Sequence, residues 1–173
     1  MLEELEFRDL GPIRHALLTP AVGMTAITGE TGAGKSMLLS AIKLISGGAA
    51  DAGRVSADAK EAWAQGVFAV SGGVAGGDEG DEGDEQEQAS APVRIARDAG
   101  IEPEDGELFL SRTVPVSGRS RAVVNGRSVP RAVLGALSGE LVTIHGQADQ
   151  LRIASPARQR EFLDSVAGDD REL

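Results

Sequence analysis

Leu2, Leu5, Phe7 and Leu10 alternate with charged residues at close to every second position, the period of a half-buried strand. This predicts an edge strand over residues 2–8. Gly11-Pro12 marks a turn, and residues 13–18 read as the antiparallel partner, ended by Pro20. After Gly23, the compact run Met24-Thr25-Ala26-Ile27-Thr28 predicts a short buried strand. The period then changes. Met37, Leu38, Ala41, Ile42 and Ile45 recur at helical spacing, which predicts a helix over 35–45 closed by Gly47-Gly48.

Further along, strands are expected over 62–70 and 108–114, with a short helix over 94–100. Two short apolar runs, 120–124 and 128–129, flank Asn125-Gly126, the strongest two-residue hairpin signal. A helix over 131–137 and a buried strand over 141–144 follow. Ser155-Pro156 opens a last helix, with serine as cap and proline at the first position, and an apolar face of Phe162, Leu163 and Val166. Strands and helices are interspersed along the chain, and the fold class is read as α/β. No internal repeat is visible.

One stretch breaks the pattern. Residues 71–92 are almost entirely Gly, Asp, Glu, Gln, Ser and Ala. Such a segment buries too little apolar area to offset its ordering entropy, which predicts a disordered acidic insertion within a surface loop. It also changes the meaning of the net charge. The chain has 173 residues, enough for one domain, with 17 Lys+Arg against 27 Asp+Glu and a formal net charge of -10. Seven acids fall within residues 78–87, so without that run the charge is about -3. The body is nearly neutral. The acidic run is read as a solvated tether, with mimicry of DNA as the alternative.

Several chemistries are excluded. There is no cysteine, hence no disulfide scaffold, thiolate zinc site or cysteine nucleophile, which suits a reducing cytoplasm. His15 and His145 are the only histidines. The acidic N-terminus lacks a signal-peptide apolar region, and no apolar run approaches the ~18 residues of a membrane helix. Five aromatics are too few for a base-stacking platform.

The chemistry lies between the predicted strand at 24–28 and the predicted helix at 35–45. Gly29-Glu30-Thr31-Gly32-Ala33-Gly34-Lys35-Ser36 matches G-x-x-x-x-G-K-[ST], the phosphate-binding loop. A loop that wraps a triphosphate aims successive backbone N–H groups inward, which needs glycine's dihedral freedom. Lys35 then brings a point charge to the β- and γ-phosphates, and Ser36 offers a hydroxyl to Mg²⁺. The helix directs its positive dipole end at the same anion. Lys35 is one of three lysines beside fourteen arginines, in a role where a compact point charge is not easily replaced by a planar fork. A nucleoside triphosphate with Mg²⁺ is therefore the expected ligand, and the loop alone does not say which.

A GTPase base-reading N-K-x-D motif is absent, since Asn125 is the only asparagine. The apolar strand ending in Asp that usually helps hold the metal is also absent: Leu141-Val142-Thr143-Ile144 runs into His145, and Phe162-Leu163-Asp164 has two apolar residues on a predicted helix. Either the ATPase is unusual or the chain is one part of it.

The N-terminal residues and the Gly29–Ser36 loop together resemble the RecN family of SMC-like DNA repair ATPases. Three further blocks carry the resemblance: Gly118-Arg119-Ser120-Arg121-Ala122-Val123-Val124-Asn125-Gly126, Ile144-His145-Gly146-Gln147 and Phe162-Leu163-Asp164. The resemblance implies the N-terminal lobe of an ABC/SMC-type ATPase head, with a mixed sheet and P-loop helix over 1–154, and the start of a coiled-coil arm over 155–173. It implies ATP as the nucleotide, and Gln147 as the glutamine that touches Mg²⁺ or the attacking water, alongside Lys35 as a catalytic group. It implies a C-terminal lobe carrying the signature motif and the Asp-Glu pair, a second head in a homodimer, DNA as partner of the whole protein, and a cytoplasmic, nucleoid-associated setting without membrane. Two positions depart from the family pattern: Ala49 and Ser56 stand where the family usually has arginine, and Arg54 is the basic residue nearby.

Arg112, Arg119, Arg121, Arg127 and Arg131 fall within twenty residues without an acid between them. Arg119, Arg121 and Arg127 on the hairpin are candidate contacts to DNA phosphates. A solvated basic face is the equally open alternative. For the chain as a whole, the alternatives are another ABC-type head lobe or a non-catalytic nucleotide-sensing module.

Overall fold

The computed structural model describes residues 1–29, 33–70 and 89–144. The described strands and helices fall in one compact unit, Met1–Val142. Strand β1 (Leu2–Leu10) turns at Gly11-Pro12 into β2 (Ile13–Leu18). Helix α1 (Ala33–Ile45) follows, then a 3₁₀ turn at Ala52–Arg54, β3 (Glu61–Ala69), α2 (Ala91–Asp98) and β4 (Glu107–Pro115). The hairpin β5 (Arg121–Val124) and β6 (Arg127–Val129) leads into α3 (Arg131–Leu141).

The strands form a six-stranded sheet in the order β2-β1-β3-β4-β5-β6. Every pairing among the described residues is antiparallel, where a mixed sheet was expected. Registers such as Leu5↔Gly66 and Gly66↔Leu110 place Leu5, Phe7, Ala62, Ala64, Phe68, Leu108, Leu110, Ala122 and Val124 on one face. That face is buried under the three helices, chiefly by Ala41, Leu44 and Ile45 of α1, Val93 and Ala96 of α2, and Leu134 and Leu137 of α3. Helix α1 lies directly on β3: a Cβ at Gly66 would stand 2.6 Å from Ile45 Cδ1. Glu4, Glu6, Arg8, Trp63, Gln65, Phe109, Thr113 and Arg121 share the opposite face, which no described helix covers. Antiparallel sheets tolerate one such solvated face.

The hairpin forms as its Asn-Gly pair dictates. Asn125 and Gly126 take φ of 42° and 74°, the left-handed pair of a type I′ turn. Asn125 also ties the turn to its surroundings. Its Oδ1 accepts from Phe109 N at 2.8 Å and its Nδ2 donates to Glu102 O at 3.0 Å.

Four further expectations need correction. β1 is not an edge strand, because β2 and β3 flank it; alternation reports which face is wet and says nothing about edges. Residues 24–28 form no strand, and Met24 is 91% exposed; a compact apolar run has strand propensity, but the described sheet offers it no ladder partner. Residues 141–144 form no strand either. Leu141 ends α3, and Val142 N donates to Ser138 O at 2.8 Å; Leu134, Leu137 and Leu141 continue the helical stripe, which outweighs the short apolar run. The helix expected over 94–100 starts earlier, at Ala91, behind Ser90 and with Pro92 in its first turn. Residues 89–92 thus belong to the folded body, with Ala89 buried, and not to the acidic insertion. The rest of that insertion, and the last helix expected from Ser155, lie outside the described residues.

Candidate nucleotide site

Helix α1 begins at Ala33, inside the phosphate-loop motif, and has no acidic residue in its first turn. Its positive dipole end is therefore not neutralised from within the helix. Lys35 lies in this first turn, and its Nζ donates to Gly29 O across the loop. Gly29 has φ 154°, in the region that favours glycine. Ser36 is exposed beside it. Lys35 and Ser36 thus stand together at a helix N-terminus, where an anion is favoured by charge, dipole and backbone donors at once. Glu30, Thr31 and Gly32 lie outside the described residues, as does Gln147.

The loop after α1 reaches back to the same helix. Ser40 Oγ donates to Ser36 O at 2.8 Å, and Arg54 Nη1 donates to Ser40 Oγ. Arg54 also lies 3.6 Å from Asp51, whose carboxylate caps the 3₁₀ turn through Gly53 N at 2.9 Å. Ala49 is exposed. Ser56 is buried, and its hydroxyl donates to Gly11 O at 2.5 Å. Position 56 therefore holds the β1–β2 turn, and Arg54 is the loop's basic group against α1.

Mg²⁺ takes few protein ligands, usually one or two beside phosphate oxygens and water. The Ser36 hydroxyl at the head of α1 fits that role. Among the described residues no group of three or more His, Cys, Asp or Glu could hold a metal by itself.

The arginine run divides in three dimensions. Arg121 sits with Val123 on the helix-free face, 3.7 Å from Glu61. Arg119 is exposed in the preceding loop. Arg127 lies opposite Val124, on the helix-bearing side, and its Nη1 donates to Gly100 O at 2.6 Å at the end of α2. Arg131 Nε donates to Gly47 O at 2.6 Å, at the end of α1. Arg112 is 3% exposed and bonds to Gly48 O at 2.7 Å. Burial lowers its pKa from the ordinary arginine value, with the Arg131 charge adding to the effect. Arg112 thus belongs to the interior and not to a basic surface. The signal for this was its parity: it falls in step with the inward residues Leu108, Leu110 and Val114 of β4.

A family profile described as AAA domain matches residues 4–128. The chain belongs to this family. The match runs from within β1 to within β6. The chain is also similar to the DNA repair protein RecN of Streptomyces coelicolor, 44% identical over 165 residues, covering 95% of this chain and 26% of that protein. It therefore spans about a quarter of the length of that relative. In three dimensions it resembles the Smc head domain with a coiled coil and joint from Pyrococcus yayanosii, with a TM-score of 0.63 and 22% identity over 96% of this chain and 32% of the other. It also resembles a chain solved in work on ATP-driven dimerization and DNA stimulated activation of SMC ATPases, with a TM-score of 0.60 and 21% identity over 95% of this chain and 98% of the other. The fold is thus that of SMC ATPase heads, built here from an antiparallel sheet with helices on one face. No helix among the described residues is long and apolar enough to cross a membrane.

Proposed function

We propose that the chain is the ATP-binding N-terminal lobe, residues 1–154, of a RecN-like SMC-family ATPase that acts in recombinational repair of DNA double-strand breaks. Residues 155–173 begin its coiled-coil arm. The observation that carries the reading is the junction of Gly29, Lys35 and Ser36 at the head of α1. Similarity to DNA repair protein RecN supports the biological setting proposed here.

In this reading the backbone of Gly29, Glu30, Thr31, Gly32, Ala33 and Gly34 cradles the phosphates. Lys35 neutralises charge on the β- and γ-phosphates. Ser36 and Gln147 hold Mg²⁺, which offsets the charge developing on the transferred phosphoryl group. Arg54 adds a second positive charge beside α1. Hydrolysis requires the C-terminal lobe and a second head, which supply the remaining catalytic groups. The protein works in the cytoplasm on the nucleoid.

The apolar segment before the loop supports a second lobe. Val22 and Met24 are 88% and 91% exposed. An unpaired apolar run is the surface a neighbouring strand would cover. Arg119 and Arg121 are the proposed contacts to DNA phosphates, and Arg127, engaged on Gly100, contributes less. Charge reversal at Arg119 and Arg121 is expected to weaken DNA binding by the full-length protein and reduce its salt slope. Unchanged affinity and slope would remove these two contacts.

The decisive experiment is a MgATP titration with Lys35→Ala as control. Saturable binding that the substitution abolishes is the expected result. Equal affinity of both proteins would sink the assignment of the phosphate loop.

A further inference from the structure

The two ends of α1 are held very differently. At its N-terminal end Ser36 is exposed, and Leu39 is 51% exposed. At its C-terminal end Ala41 and Ile45 are fully buried and Leu44 is 6% exposed. Met37 and Leu38 pack half-buried against the core near the loop, so the C-terminal end is the firmer of the two anchors.

That end is closed by main-chain bonds, Gly47 N donating to Leu44 O at 3.3 Å and Gly48 N to Lys43 O at 2.9 Å. Arg112 clamps this cap from β4: Nη1 lies 3.4 Å from Leu44 O and 2.7 Å from Gly48 O, just past the helix. Its Nη2 donates to Ser120 Oγ at 3.0 Å, at the entry to β5. One rigid guanidinium fork thus spans α1, β4 and the loop before β5. A buried cation is an unfavourable way to hold a helix end, and here the Nε is buried without a partner. Arg131, which is exposed, already donates to Gly47 O at the same end. Helix stability alone does not account for a second, buried arginine there.

We propose that Arg112 is a positioning residue for the phosphate loop, fixing the tilt of α1 on the sheet and hence the place of Lys35 and Ser36. The proposal rests on the nucleotide reading above. About ten residues separate Ser36 from the anchor, roughly 15 Å of helix at 1.5 Å per residue. A tilt of about 5° moves Ser36 by about 1 Å over that length. Displacement of this size at a reacting centre costs on the order of a hundredfold in rate.

The test compares four variants of the full-length protein by MgATP affinity and thermal midpoint. Arg112→Met removes the fork. Arg112→Lys keeps one charge able to reach Gly48 O. Val93→Ala, in α2, serves as a stability-matched control remote from α1. Lys35→Ala reports on the loop itself. The expected result is at least tenfold weaker MgATP binding for Arg112→Met, partial recovery for Arg112→Lys, and unchanged affinity for Val93→Ala despite a comparable fall in midpoint. Equal affinities for Arg112→Met and Val93→Ala, with Lys35→Ala inactive in binding, would overturn the positioning role alone. Binding retained by Lys35→Ala would instead overturn the nucleotide reading. Should Arg112→Met fail to fold, Arg112→Lys and Ser120→Ala carry the same comparison: weaker binding at unchanged midpoint supports the proposal, and unchanged binding in both refutes it.

Discussion

Glu6 accepts from Arg8 Nε and Nη2 at 3.0 and 2.7 Å and lies 2.9 Å from His15 Nε2 on the helix-free face of β1. The Arg8 hydrogen bonds hold its carboxyl below the ordinary value of 4.5; burial opposes them, and the His15 hydrogen bond and the charges of Arg8 and His15 add to the lowering. A depressed folded pKa contributes stability above the unfolded value that is lost as pH falls through the folded one. Glu107 shows the opposite sign. Hydrogen bonding to the Glu3 carboxyl, then burial, then the charges of Glu3, Asp105 and Glu4 raise its pKa. Its stabilising contribution is present below the ordinary carboxyl value and is lost as pH rises through the folded pKa. Glu107→Gln is therefore expected to raise the thermal midpoint at pH 7 and to lose that advantage near pH 4. Midpoints measured across that range check the sign, and a midpoint lowered at pH 7 would refute it. The sequence shows these acids but not their partners, because Glu3 and Glu107 meet only across the sheet.

At the scale of elements, the ends of α1 and of the hairpin were legible, because their signals are local. Gly47 closes α1 at φ 72°, and a Cβ there would stand 3.0 Å from Gly135 Cα on α3. Gly47→Ala thus meets both backbone strain and a contact with main chain that has nowhere to retreat. The expected loss is about 1–3 kcal/mol, read from denaturant midpoints. Asn125→Ala removes an acceptor for Phe109 N and a donor to Glu102 O. It is expected to lower stability by about 1–3 kcal/mol, since Phe109 N is left without its side-chain partner. The strand expected at 24–28 failed for the converse reason, whereas the one expected at 141–144 lost to the helical stripe of α3. Strand formation is decided by the neighbour that completes the ladder, and residues 24–28 have no such neighbour in the described sheet.

For the whole molecule, the core lies between one sheet face and three helices, with Leu134 fully buried on α3. Leu134→Ala is expected to cost about 2–5 kcal/mol, the range for an aliphatic side chain removed from a packed interior. This chain by itself is expected to bind MgATP while turning over little, because half of the proposed catalytic groups lie in the second lobe. Phosphate release comparable to that of an intact ATPase would contradict the division into lobes.

Residues acting through near neighbours were set by the sequence itself: the glycine loop and lysine at the head of α1, the Asn-Gly turn, the alternation along β1 and β4, and the stripe of α1. Each depends on backbone dihedrals or on a period of two or 3.6 residues. The fates of the arginines were decided only in the folded molecule. Five similar charges in twenty residues become one buried clamp, two helix-end donors, one sheet-face ion pair and one exposed side chain. Charge spacing along a chain carries no information about which carbonyls will converge on a guanidinium. That depends on α1 crossing β3 and β4, a long-range packing choice made by Leu44, Ile45, Gly66 and Leu110 together.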